Sequence, residues 1–449
     1  MCYAIPGRII SIKGRVATID YFGERRTASI IGDLKASAGD YVYAQGGIII
    51  DKINQDEALA ILGTWKERFF ELKKKDIGAI TGGRASGEIA SILEKAENGG
   101  FLSRSEMEII LKTMRPSGTS SRWNLNSIKT QDSGLETIYG SANRIRSREL
   151  GNSCCVHGII EFSNFCKNEC AYCGINKNNT KTKRYRMSVD EIVERVGYAV
   201  EELGFKALVL QSGEDEYYSD DMLVELVRRI RERYGVLLFL SIGERSFDCY
   251  KRLYGAGAYG ALLRFETSNP KLYAVMRPGK KLDDRLGLIR KLTAHGFVVA
   301  TGFIIGLPGT TEQDLINDVL LTKSLKPDMY SFGPLIPHPD TPIGKMKTKP
   351  VSLNLALKTI ALSRFVDPKA KILVTTSLET LDRGGKRKGL LAGGNSLMIN
   401  LTPEQYRGKY DIYPGKTQDI KTQDTIRETL DLLYSLGRAP TDLGTRLLE

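Results

Sequence analysis

Apolar and polar residues recur with two different periods along this chain, and the change of period divides it. The runs 9–12, 16–20, 27–30, 41–44 and 48–50 are short and β-branched, and they are separated by glycines and charged turns. They predict a small all-β, OB-like barrel. A period near 3.6 follows from Asp56 to about Lys75, with Ala58, Leu62, Trp65, Phe69 and Leu72 on one face, and predicts a trailing helix. From Val156 onward apolar runs alternate with amphipathic segments. Strands are expected at 156–162, 207–211, 236–241, 261–264, 298–305, 329–336, 372–376 and 396–401, with helices between them and a closing helix at 423–436. That alternation predicts an α/β architecture, a (βα)8 TIM-type barrel.

Residues 76–87 (DIGAITGGRASG) are rich in Gly and small side chains and read as a linker, so the expected division is 1–75, 76–87 and 88–449. Twelve flexible residues span roughly 20 Å, enough for the small domain to visit the mouth of the barrel. Helices are expected at 89–97 and 103–114, followed by a Ser/Thr/Asn-rich loop at 116–133.

Composition narrows the classes. The formal charge of +12 comes from basic residues interleaved with 53 acids rather than gathered in one tract, and there is no nucleic-acid-binding signature, so small anionic ligands are expected ahead of DNA or RNA. No apolar run approaches 18 residues, and a soluble cytoplasmic protein is the expectation.

The candidate chemistry starts at Cys166, Cys170 and Cys173, spaced C-x3-C-x2-C just beyond the first barrel strand. Three thiolates can hold three corners of a 4Fe-4S cube and leave the fourth iron open to a ligand. A zinc knuckle or disulfides are the rival readings, but no fourth Cys or His lies nearby at zinc spacing, and an odd triplet is a poor disulfide framework. The ends of later strands add further candidates. Gly213 would let backbone approach a ligand closely and Glu214 could accept from an ammonium group; Ser241 and Glu244 are placed to meet ribose hydroxyls. Strand alternation would send Arg264 and Glu266 to one face, and Arg285 could clamp a carboxylate, with structural ion pairing as the rival. His338, flanked by prolines, is a possible ligand or base but more often such a residue is structural. Cys154, Cys155 and Cys249 lack ligand spacing.

The blocks GIIEFSN-C-x3-C-x-Y-C-G, LQSGED, SIGE, LLRFETSNP, GLPGT, GPLIPHPDTP and YDIYPGK, over roughly 155–416, resemble the HydE branch of radical S-adenosylmethionine (SAM) enzymes, relatives of biotin and methylornithine synthases. The resemblance implies ligation of one 4Fe-4S cluster by Cys166, Cys170 and Cys173. It further implies SAM contacts from Tyr172, Ser212, Gly213, Glu214, Ser241, Glu244, Glu266, Arg285, Gly302 and Ile304. Substrate contacts are implied for Arg264, Thr375, Thr376 and Met398, with Arg264, Tyr410 and Tyr413 in the reaction itself. The implied partners are a small-molecule or iron-complex substrate, a reductant such as ferredoxin or flavodoxin, and maturation proteins. Two positions depart from the pattern: Phe265 stands where the branch typically has His, and 417–425 lacks the cysteines some relatives use for a second cluster.

Met1-Cys2-Tyr3-Ala4-Ile5-Pro6-Gly7 and the barrel after it are similar to the HypC/HupF family of hydrogenase chaperones, which implies an iron-carrying role for Cys2; Gln45 replaces the family's usual His. Together the resemblances imply radical SAM chemistry in assembly of an organometallic iron cofactor. An organic amino-acid or sulfur substrate and a non-catalytic scaffold are the alternatives.

Overall fold

A computed structural model describes residues 4–32, 34–78, 87–113, 134–415, 421–443 and 445–446. Cys2 and the 116–133 loop lie outside the described residues, as does most of the 76–87 segment.

Five strands form the first body: β1 (Gly7–Lys13), β2 (Val16–Tyr21), β3 (Glu24–Ile30), β4 (Tyr41–Gln45) and β5 (Ile48–Ile53). The antiparallel order β3-β2-β1-β4-β5 is closed by parallel pairing of β3 with β5, making a five-stranded barrel. Ile9, Ala17, Ile19, Tyr21, Val42 and Ile49 fill it, and Phe69 and Leu72 of helix α1 (Gln55–Gly78) cover it. Helix α1 runs three residues past the expected end at Lys75. The cause is Asp76, which is buried between Arg146 and Arg438, at 2.8 and 2.9 Å from Arg146 and 2.8 Å from Arg438.

Next come α2 (Glu88–Glu97), α3 (Arg104–Lys112) and α4 (Gly134–Leu150). The apolar pattern had not marked α4, although Ile138, Ala142 and Ile145 are fully buried in the main core. The second body is a closed barrel of parallel strands: β6 (Cys155–Ser163), β7 (Ala207–Ser212), β8 (Leu237–Ser241), β9 (Gly260–Leu262), β10 (Val298–Thr301), β12 (Met329–Tyr330), β14 (Lys371–Val374) and β15 (Ser396–Asn400), which pairs back to β6. The expected fifth and sixth strands are each broken, with β11 (Ile304–Ile305) and β13 (Gly333–Pro334) forming a separate parallel pair above the barrel. Strand β16 (Thr445–Arg446) returns to β3.

The two bodies meet at the base of the large barrel. Tyr43, Ile48, Ile50, Ile53 and Ala58 pack with Ala207, Leu237 and Val298 at strand starts and with Val209, Phe239 and Met329 on the barrel axis. Gly46 N–H donates to Asp442 at 2.8 Å, and Asp442 also pairs with Lys371 of β14 at 2.5 Å. Exposing only four of the larger apolar side chains would cost about 6–12 kcal/mol. The expectation that the small domain swings to the mouth on a flexible tether is therefore corrected: it is the floor of the barrel, at the end opposite the strand C-termini. The upper half of the barrel is open instead, since the axis-facing Ile159, Gln211, Ser241, Met398 and Asn400 all retain partial exposure.

Candidate active site

The cysteine loop leaves β6 at Ser163 and is held from several sides by backbone contacts. Lys167 N–H donates to Glu214 O at 3.1 Å, Ala171 N–H to Met276 O at 2.9 Å and Gly174 N–H to Ile412 O at 3.0 Å. Arg184 donates to the carbonyls of Ile175 at 2.8 Å and Asn176 at 2.6 Å, gathering the turn that follows Cys173. Gly213 fits against the loop so tightly that a Cβ would stand 2.1 Å from Phe165 O and 2.8 Å from Cys166 Cβ. Burial, partly opposed by the Arg277 charge and reinforced by Cys166, pushes the Cys170 thiol up to about 11. Cys173 is raised by burial and by both neighbouring cysteines. Thiols crowded in this way need a soft cation to become thiolates, which is the chemistry a cluster requires.

Beside the loop lies a charged chamber. Arg285, at the start of helix Leu282–His295, is buried and donates to Glu244 at 2.7 Å; Lys280 reaches the same carboxylate at 3.0 Å. Arg277, 3% exposed, stands between Glu214 at 3.4 Å and Glu244 at 3.5 Å, and donates to the Tyr273 hydroxyl at 3.3 Å. Glu266 adopts φ +68°, a left-handed conformation that costs a non-glycine residue about 1–3 kcal/mol. Strand β9 has already ended at Leu262, so alternation is not what joins Arg264 to Glu266. The left-handed turn presents Glu266 to Tyr172, which donates to it, within the fields of Arg264 and Arg277; burial outweighs all three and raises its carboxyl. Gly302 lies where a Cβ would stand 2.4 Å from Ser331 O, so this glycine is required by strand packing. Ile304 is buried with Ala171 and Met276, and Tyr172 packs against that cluster.

Ser212 hydrogen-bonds its neighbour's carbonyl, Gly213 O, at 2.7 Å, and Ser241 bonds Gln211 at 3.2 Å. Of the expected substrate contacts, Thr375 is buried on Ser377 at 2.8 Å, whereas Thr376 is exposed on the rim and bonded to Tyr413 at 2.6 Å. Met398, partly exposed, lies on the barrel axis in register with His157. Tyr410 is buried within the fields of Glu161, Cys173 and Cys166, beneath the cluster loop. His338 bonds Asp411 at 3.1 Å and abuts Gly174, a structural tie. Cys154, Cys155 and Cys249 are all buried away from the loop.

Several residues escaped the sequence reading: Arg277, Tyr273 and Lys280, and the Arg186–Asp215 pair at 2.7 and 2.9 Å. The Met276-Arg277-Pro278-Gly279 segment signals only a helix end, because its link to the cysteine loop is purely tertiary.

The chamber has the donor set that a cluster and SAM require. Glu214 Oε2 and Glu266 Oε2 are buried without a hydrogen-bond partner among the described residues. They are open acceptors for an ammonium group next to three soft ligands, and the residues fit.

The comparisons agree. Residues 160–321 match the Radical SAM superfamily, 1–65 the HupF/HypC family and 331–438 the Biotin and Thiamin Synthesis associated domain. The chain is 40% identical over 314 residues to the [FeFe] hydrogenase maturase subunit HydE of Thermotoga maritima, covering 69% of this chain and 89% of that one. This chain is a radical SAM enzyme of the HydE type. Radical SAM enzymes use a 4Fe-4S cluster and SAM. The 3-methylornithine synthase of Methanosarcina acetivorans is 30% identical over 310 residues, covering 68% of this chain and 85% of that one. Among solved structures, methylornithine synthase PylB superposes with TM-score 0.65 at 25% identity, over 78% of this chain and 97% of that one. The maturase HydG of Carboxydothermus hydrogenoformans superposes with TM-score 0.63 at 20% identity, over 86% and 84%, which bears on the fold alone.

Proposed function

We propose that this radical SAM enzyme acts in assembly of an organometallic iron cofactor of the hydrogenase type. The observation that carries this is the 40% identity to HydE across the barrel, in a chain that also holds a HupF/HypC segment. Cys166, Cys170 and Cys173 hold the cluster, and Glu214 and Glu266 accept from the amino group of SAM. When bound and reduced by one electron, cluster and SAM supply a 5′-deoxyadenosyl radical. The protein's own part is to orient and to exclude water. Tyr172 and Ile304 belong to one apolar cluster, while Arg264 and Thr375 contact a small anionic substrate or iron complex held in the open upper barrel. Tyr413 and Thr376 line its rim.

The small domain, as the floor, contributes stability to the barrel. Carriage of iron by Cys2 is part of this proposal. A low-potential donor such as ferredoxin or flavodoxin supplies the electron, and maturation proteins are the partners. Among the described residues no helix is long and apolar enough to cross a membrane. Mass spectrometry of anaerobic turnover mixtures tests the substrate class. An iron-bound product is expected; an organic product free of iron favours the amino-acid alternative that the methylornithine synthase likeness represents.

A further inference from the structure

Arg277 is buried between the cysteine loop and the carboxylates of the chamber. Its backbone neighbour Met276 accepts from Ala171 N–H at 2.9 Å, next to Cys170, and its guanidinium meets Glu214, whose own carbonyl accepts from Lys167 N–H at 3.1 Å, next to Cys166. The residue is thus bracketed by both halves of the cluster loop.

It is also more loosely paired than the two cations beside it. Arg285 and Lys280 are fixed on Glu244 at 2.7 and 3.0 Å, whereas both carboxylate contacts of Arg277 are long, 3.4 and 3.5 Å, and its Nε has no hydrogen-bond partner among the described residues. A guanidinium 3% exposed and loosely paired is costly unless a further negative charge stands beside it.

Charge counting identifies that anion. Glu214, Glu244 and Glu266 contribute three negative charges and Arg264, Arg277, Arg285 and Lys280 four positive, so the chamber carries a formal +1. A 4Fe-4S cluster on three thiolates carries −1 when oxidised and −2 when reduced. Without Arg277 the chamber falls to zero, and the reduced cluster becomes the form most penalised in a low-dielectric site.

We infer that Arg277 is a positioning residue that stabilises the reduced cluster electrostatically, raising its reduction potential toward that of a low-potential one-electron donor. The inference rests on the proposed cluster ligation. It concerns the charge beside the cluster, and not the contacts made by SAM.

The test is an anaerobic redox titration of reconstituted full-length protein without SAM, with the reduced cluster followed by electron paramagnetic resonance, in wild type, Arg277→Met, Arg277→Gln and Arg277→Lys. Both neutral variants are expected to show at least a tenfold lower ratio of reduced to oxidised cluster at a given potential, a shift of 59 mV or more to the negative for a one-electron couple. Arg277→Lys is expected to stay near wild type. Loss of the cluster in the neutral variants but retention in Arg277→Lys also supports the charge role. Unchanged potentials in variants that retain four irons would overturn it, as would loss of the cluster in all three, Lys included, which makes the guanidinium merely structural. Wild-type protein that binds no cluster at all contradicts the ligation itself, and so is distinguishable from failure of the inference.

Discussion

At the scale of single residues, the absence of a Cβ at 213 decides how close the second strand end comes to the cysteine loop. In Gly213→Ala the new methyl would meet backbone rather than a flexible side-chain end, so the loop must move. Folded protein with at least severalfold lower SAM affinity is expected, measured by calorimetry on the reconstituted protein, and wild-type affinity would show that the approach is not needed. Cys170→Ala removes one corner of the cluster and is expected to abolish 5′-deoxyadenosine formation under reducing conditions. Robust SAM cleavage in that variant would mean the cluster is held elsewhere. Residues of this kind were legible in the sequence because their spacing is local. Arg277 was not, since everything that gives it meaning comes from strands and loops distant along the chain. Thr376 lies on the rim, bonded to Tyr413, because the backbone turns into a helix there.

Among the elements, the instructive departures are breaks. The fifth and sixth strands read as continuous apolar runs, but Gly302 must pass against Ser331 O, and pairing shifts to a separate β11–β13 ladder. An apolar run cannot reveal such a break, because both pieces are buried. Helix Glu312–Ser324 ties the Glu266 turn in place: buried Asp318 accepts from Ser268 N–H at 2.5 Å, and burial pushes its carboxyl up to about 7. An acid raised on folding from an unfolded value near 3.9 binds its proton more tightly in the native state. Its contribution to stability is therefore greatest below pH about 4 and falls as pH rises toward 7. Chemical denaturation of the cluster-free protein across that range is expected to show a decline that Asp318→Asn makes shallower; equal slopes would contradict the assignment. Helix α1 ends on a buried carboxylate shared by two guanidinium groups. Replacing Asp76 with Asn leaves Arg146 and Arg438 without that charge and is expected to cost about 3–5 kcal/mol of unfolding free energy in denaturant titrations. A loss below 1 kcal/mol would mean the ends of α1 and α4 are held by other contacts.

For the whole molecule, both barrels could be read from the sequence, but not their arrangement. Tyr43, Ile48 and Ile50 look like ordinary interior positions of a small barrel, and only the assembled structure shows them meeting strand starts of the large one. The Gly-rich composition after α1 pointed to a mobile carrier, yet the buried interface makes the small domain a fixed floor. Ile50→Asp, which places a charge in that interface, is expected to lower the thermal midpoint of the full chain as one cooperative transition. Two separate transitions with an unshifted large-barrel midpoint would show the domains to be independent. The chemistry of the whole molecule depends on a cluster with an open iron on the 166–173 loop. Its most direct test is anaerobic reconstitution followed by iron and sulfide analysis and electron paramagnetic resonance with and without SAM. About four irons per chain and a spectrum that changes when SAM is added are predicted; bound zinc, or an iron signal indifferent to SAM, would contradict it.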